Sequence, residues 1–315
     1  MARVAVVGSG FIGRAWTITF ARAGHDVALW DKDPDAPHRA LDFIATVAPD
    51  LAADDLLGGA SPGALLARLR VERTLSAALG DADYVQENTA ERLDVKKAIF
   101  SELDRLAPQG AVLASSSSAI LPSLFTEQLG HRHRCLVVHP INPPYLIPAA
   151  EVVPAPWTSA ETVERARAFL VAAGQVPIVM KREIDGFVMN RMQGALLEEA
   201  FRLVADGFAS VEDVDVGIRE GLALRWSFMG PFETIDLNAP AGVRDYVERY
   251  QGIYANLFAQ MQRRVDWAGP VLTQIESERR AKLPTNHFVE RQKWRDRRLM
   301  ALAAHKRRAA RDIGI

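Results

Sequence analysis

The run Gly8-Ser9-Gly10-Phe11-Ile12-Gly13 constrains this chain more than any other feature. It follows four apolar residues, Val4-Ala5-Val6-Val7, and opens a stretch of helical spacing at residues 14–23. In such a strand–loop–helix unit the first glycine permits a tight turn. The second lets backbone approach a pyrophosphate, and the third lets helix pack on strand. The helix N-terminus adds unpaired N–H groups and a positive dipole end for phosphates. The next apolar run ends at Asp31, 18 residues past Gly13, where a carboxylate can bind ribose hydroxyls. It would repel a 2′-phosphate, so the pattern predicts NAD rather than NADP, with Gly8, Gly10, Gly13 and Asp31 as cofactor residues.

Short apolar runs at residues 4–7, 27–30, 84–86, 111–114, 135–138, 150–153 and 176–180 alternate with helical patterns such as residues 93–107. That alternation predicts an α/β fold, a Rossmann-type, mostly parallel sheet with helices on both faces. At Asp185, a good N-cap, the character changes: Met189, Met192, Leu196, Ala200 and Leu203 recur at helical spacing and no strand pattern follows. The expected organisation is a dinucleotide-binding domain over residues 1–184 and an all-helical second domain over 185–315. A length of 315 residues accommodates two domains.

Lys+Arg 38 against Asp+Glu 39 leaves a formal charge of −1, so no basic excess exists for nucleic acid or an anionic membrane. No run reaches the roughly 18 apolar residues of a membrane span, and the N-terminal run is too short for a signal peptide. Cys135 is the lone cysteine, which predicts a buried strand residue and fits a reducing cytoplasm. No metal site is expected. The tail is locally basic, with Arg291, Lys293, Arg295, Arg297, Arg298, Lys306, Arg307, Arg308 and Arg311. Trp294, Leu299, Met300 and Leu302 give it an apolar side, so it reads as one solvated face of a terminal helix.

His139 ends a strand of the sheet and precedes Pro140, which holds it extended. Glu151 lies 12 residues on. A histidine with a carboxylate partner is an oriented general base, because the carboxylate fixes the tautomer and stabilises the imidazolium. Spacing alone leaves a structural histidine equally open.

These residues, with others, resemble the 3-hydroxyacyl-CoA dehydrogenase superfamily, in its lambda-crystallin / L-gulonate 3-dehydrogenase branch. The resemblance runs through Gln86-Glu87 with Glu91-Arg92-Leu93, Ser115–Ser118, and His139-Pro140-Ile141-Asn142-Pro143-Pro144-Tyr145. It continues in Gly186-Phe187-Val188-Met189-Asn190-Arg191, Gly221-Leu222-Ala223-Leu224-Arg225-Trp226, Gly230-Pro231-Phe232-Glu233-Thr234 and Arg291-Gln292-Lys293-Trp294-Arg295-Asp296. It implies that His139 is the catalytic base and Glu151 its partner, that Asn190 binds the reacting oxygen across an interdomain cleft, and that Ser117 or Ser118 adds a hydroxyl. Phe11 and Ile12 would offer backbone to the pyrophosphate, and Glu91 with Lys96 would line the nicotinamide side. The implied reaction passes hydride from a secondary alcohol to NAD in a homodimer.

Residues 33–67 hold Asp33, Asp35, Asp42, Asp50, Asp54 and Asp55 against one arginine, Arg39, a field that repels a polyphosphate. That argues against CoA thioesters. Arg225, in a segment longer than its acyl-CoA counterpart, could instead grip a small hydroxy-carboxylate such as L-gulonate, with a domain-interface salt bridge as the other reading. L-carnitine dehydrogenases resemble this segment too. A crystallin-like structural role is the reading of another class, and turnover separates the two.

Overall fold

The computed structural model describes residues 1–314. Eight strands form one sheet: β1 Arg3–Val7, β2 Asp26–Trp30, β3 Leu69–Val71, β4 Tyr84–Glu87, β5 Val112–Ser115, β6 Cys135–Pro140, β7 Ala149–Pro154 and β8 Val176–Val179. Their order is β3-β2-β1-β4-β5-β6-β7-β8. All neighbours run parallel except β6 and β7. The reversal has a simple cause. Only residues 141–148 join β6 to β7, fewer than a parallel crossover requires.

Alternation decides which face each strand residue covers. Val4, Val6, Leu136 and Val138 join one core cluster with Trp16, Ile18 and Phe20. Ala5, Val7, Cys135 and Val137 join the cluster on the other face with Phe100 and Leu113. Each large side chain so enclosed contributes about 1.5–3 kcal/mol. Cys135 is wholly buried, and burial, with Asp104 nearby, pushes its thiol up to about 12. β3 escapes detection in the sequence because its three residues are half-exposed and centred on Arg70. An edge strand of that kind carries no apolar run.

Two compact units divide the chain: Met1–Met189 with Trp294–Ile315, and Asn190–Lys293. The second unit holds no strand among the described residues. Its helices include Val211–Val216, Pro231–Leu237, Gly242–Gln260 and Pro270–Lys282. The tail, expected with residues 185–315, groups with the first unit. In the terminal helix Phe288–Asp312, Met300 is buried in the first core, and Leu299 and Ala303 pack against that core. The apolar stripe therefore docks while the basic face stays outward, and part of that face meets the acidic segment. Arg297 Nε lies 3.2 Å from Asp50, and Arg307 Nη2 donates to the Asp55 carbonyl at 2.6 Å. No helix of the described residues is long and apolar enough to cross a membrane.

Candidate functional site

The glycine loop has the shape its sequence demands. Gly8 sits at φ +90°, where a side chain is strained, and a Cβ there would lie 2.8 Å from the Asn88 carbonyl carbon. A Cβ on Gly13 would lie 1.9 Å from the Gly8 oxygen, so the helix can approach the strand only with glycine. At Gly10 that space is open. Gly10 also caps the helix Phe11–Arg22, and no side chain caps its first turn. Phe11 is exposed and Ile12 half-buried on that turn. Asp31 accepts from the Ser9 N–H at 2.6 Å and the Asp33 N–H at 3.0 Å, which ties the end of β2 to the loop. Open backbone at a helix N-terminus beside a carboxylate fits a dinucleotide.

Glu151 stands opposite His139 in the antiparallel β6–β7 register. Their side chains share a face, and Nδ1 lies 2.6 Å from Oε2. The other carboxylate oxygen accepts from the N–H groups of Val188 at 2.7 Å and Met189 at 2.9 Å, at the start of the helix Met189–Ala205. Burial opposes ionisation of Glu151. The His139 bond and the two amides outweigh it and hold the carboxyl below its ordinary range. With Nδ1 engaged, Nε2 is the nitrogen left to meet a substrate. The preceding turn is strained: Phe187 holds φ +48°, is fully buried, and packs its ring 5.6 Å from that of His139.

A second buried cluster closes the ends of β4 and β5. Glu87 is fully buried and receives Lys96 Nζ at 2.8 and 2.9 Å, Ser115 Oγ at 2.6 Å, and the Thr89 hydroxyl at 2.5 Å. Lys96, which the resemblance puts with Glu91 on the nicotinamide side, is 1% exposed. Its separation from Glu91 is 3.9 Å, so Glu87 is its main partner. Glu91 holds the serine loop, accepting from Ser117 Oγ at 2.6 Å and from the amides of Ser118 and Ala119 at 2.9 and 3.0 Å.

The two serines thereby separate. Ser117 is buried, with its hydroxyl on Glu91 and accepting the Ile120 N–H at 3.0 Å, whereas Ser118 is exposed. Ser116, which sequence reasoning passed over, receives Trp16 Nε1 and Gln86 Nε2 and donates to Asn88 at 2.7 Å. The signal for this network was the polar pair Gln86-Glu87 at the end of β4, with Asn88 directly after it.

In the second unit, Asn190 is exposed on the first turn of its helix. Arg225 is exposed on the short helix Ala223–Trp226, just after the six-residue π-helix Gly217–Leu222. Among the described residues of its own unit, no carboxylate lies within ion-pair distance of its guanidinium.

The chain is similar to known proteins over most of its length. Residues 3–184 match the family model for the 3-hydroxyacyl-CoA dehydrogenase NAD binding domain, and residues 186–270 the one for its C-terminal domain. Lambda-crystallin of Oryctolagus cuniculus is 38% identical over 96% of both chains. L-carnitine dehydrogenase of Streptomyces griseus is 42% identical, covering 76% of this chain and 70% of its own. Among solved structures, a 5-formyl-3-hydroxy-2-methylpyridine 4-carboxylic acid 5-dehydrogenase superposes with a TM-score of 0.82 at 27% identity, covering 96% of this chain and 97% of its own.

Proposed function

The chain belongs to the 3-hydroxyacyl-CoA dehydrogenase family and is an NAD-dependent oxidoreductase; from that premise we propose that it oxidises the 3-hydroxyl of a small hydroxy-carboxylate of the L-gulonate kind, with His139 as general base. The observation that carries the reading is the buried His139–Glu151 contact of 2.6 Å. Glu151 fixes the proton on Nδ1, so Nε2 presents a lone pair to the substrate hydroxyl. As that proton arrives, the imidazolium is stabilised by a carboxylate already ionised and anchored by two amides. NAD, when bound, accepts the hydride at the nicotinamide C4. Asn190 is assigned to the reacting oxygen, and Ser118, the exposed serine, is favoured over Ser117 as the loop hydroxyl.

Arg225 is assigned to the substrate carboxylate, because it is an exposed guanidinium with no carboxylate partner among the described residues of its own unit. The dehydrogenases similar to this chain include ones acting on carnitine and on a pyridine carboxylic acid, both carrying a carboxylate. The charge argument against CoA thioesters is weaker than the sequence implied, since Arg297 and Arg307 offset part of the acidic segment. The apolar residues Val247, Ile253, Tyr254 and Phe258, exposed on the helix Gly242–Gln260, support a homodimer through the second unit. A buried lone thiol suits a reducing cytoplasm.

Free and CoA-linked 3-hydroxy acids, screened by NADH absorbance, test the substrate class. Arg225→Met removes a charge-assisted bond of about 1.5–3 kcal/mol. KM for the free acid should rise about ten- to a hundredfold, with a neutral lactone insensitive. Equal shifts for acid and lactone would retire Arg225 from this role, and turnover of CoA esters alone would retire the substrate class.

A further inference from the structure

A cavity of about 610 Å³ opens in the first unit, and neither the glycine loop nor the His139–Glu151 pair lines it. Most of its wall is apolar, supplied by Leu146, Ile147, Leu299, Leu302 and Ala303. Three cations, Arg22, Lys306 and Arg307, also line it, and no carboxylate does. The tail helix thus forms one side of the cavity, and the loop between β6 and β7 forms another.

Arg22 is the telling residue. It ends the helix Phe11–Arg22, and its Nη1 donates to the Tyr145 carbonyl at 2.6 Å. No carboxylate lies within ion-pair distance among the described residues. Burial, together with the charge of Arg307, pushes its pKa down to about 10, so both influences disfavour the cation. Arg307 is itself only loosely neutralised: it donates to the Asp55 carbonyl at 2.6 Å, and the Asp55 carboxylate is 3.5 Å away. A half-buried cation without a counter-charge is destabilising, and an anion arriving in the cavity would reduce that cost. A small inorganic ion would leave most of the apolar wall wet, and a neutral apolar ligand would leave the guanidinium unpaired. Only an amphiphile satisfies both halves of the lining, and a planar guanidinium fork matches a carboxylate. The volume falls in the range of ordinary ligand pockets, about 300–1,000 Å³.

We infer that this cavity is a second binding site, for an aliphatic monocarboxylate of medium chain length, with the chain against Leu146, Leu299 and Leu302 and the carboxylate on Arg22 and its neighbouring cations. The site is independent of the reaction proposed above and stands or falls without it.

Decanoate at submillimolar concentration is the probe, titrated calorimetrically into the full chain saturated with NADH. Saturable binding of one decanoate per chain is expected. Arg22→Met should weaken it about tenfold or more, the loss of a charge-assisted bond. Ala303→Trp, which fills the cavity, should abolish it. Should Arg22→Met fail to fold, Lys306→Gln at the exposed rim supplies the charge arm and should weaken binding measurably. Decanol, lacking the charge, and acetate, lacking the chain, should each bind at least about tenfold more weakly. Absence of decanoate binding would overturn the site. So would affinity unchanged in Ala303→Trp, decanol binding as tightly as decanoate, or displacement of decanoate by NADH.

Discussion

Glu151 and Glu87 are both wholly buried carboxylates in one sheet, yet their partners set them to different tasks. Glu151 faces an imidazole, a side chain that serves as a general base, and two backbone amides that hold it in place. Glu87 faces the ammonium of Lys96 and two hydroxyls, from Ser115 and Thr89. The Lys96 ammonium is enclosed, donating to both Glu87 oxygens and to the Thr89 carbonyl. The first pair is therefore equipped to move a proton, and the second to hold a loop still. A buried carboxylate alone indicates neither role; the chemistry of its partner and the bonds that partner already makes decide.

The largest expected effect falls on the first pair. His139→Gln should lower kcat about 10²–10⁴-fold while NADH binding, followed by fluorescence, stays close to wild type. A variant keeping a tenth of the activity would erase the distinction between the pairs. Next comes the second pair. Lys96→Met strands the buried Glu87 charge and should cost about 3–5 kcal/mol of stability, read as a lower midpoint in urea. A loss of activity without loss of stability would show that Lys96 works in the chemistry instead.

Glu151→Gln should have a smaller effect. It keeps a hydrogen-bond acceptor for Nδ1 but loses the charge, so kcat should fall about ten- to a hundredfold, the kinetic value of a charge-assisted bond. The smallest effect is a pH dependence. Glu151 is held below the ordinary carboxylate range, so its stabilising contribution is full above about pH 4.3, the unfolded value, and fades as pH drops through the folded one. The difference in melting temperature between wild type and Glu151→Gln should be constant from neutral pH down to that point and shrink below it. A difference that grew on acidification would reverse the assigned sign.

The fold was legible in residues 1–184 because it rests on local rules. Apolar runs bounded by turns mark buried strands, and Gly8, Gly10 and Gly13 answer to backbone demands within a few residues of one another. The His139–Glu151 pair was half legible. Their 12-residue spacing showed no contact between them; only the antiparallel register puts the two side chains on one face. The short, charged β3 left no local trace.

The sequence by itself determined the alternating sheet, the glycine loop with Asp31, and the candidate base, because hydrophobic period and φ preference act along the chain. Tertiary structure alone decided that Lys96 turns inward to Glu87, that Ser117 is spent on Glu91 while Ser118 is exposed, and that the basic tail returns to an acidic segment some 250 residues earlier, 247 for Arg297 and Asp50. Charges carry no periodic signature that names a partner. Which cation meets which carboxylate depends on how apolar faces first bring distant segments together, here when Met300 and its neighbours bury their stripe in the first core.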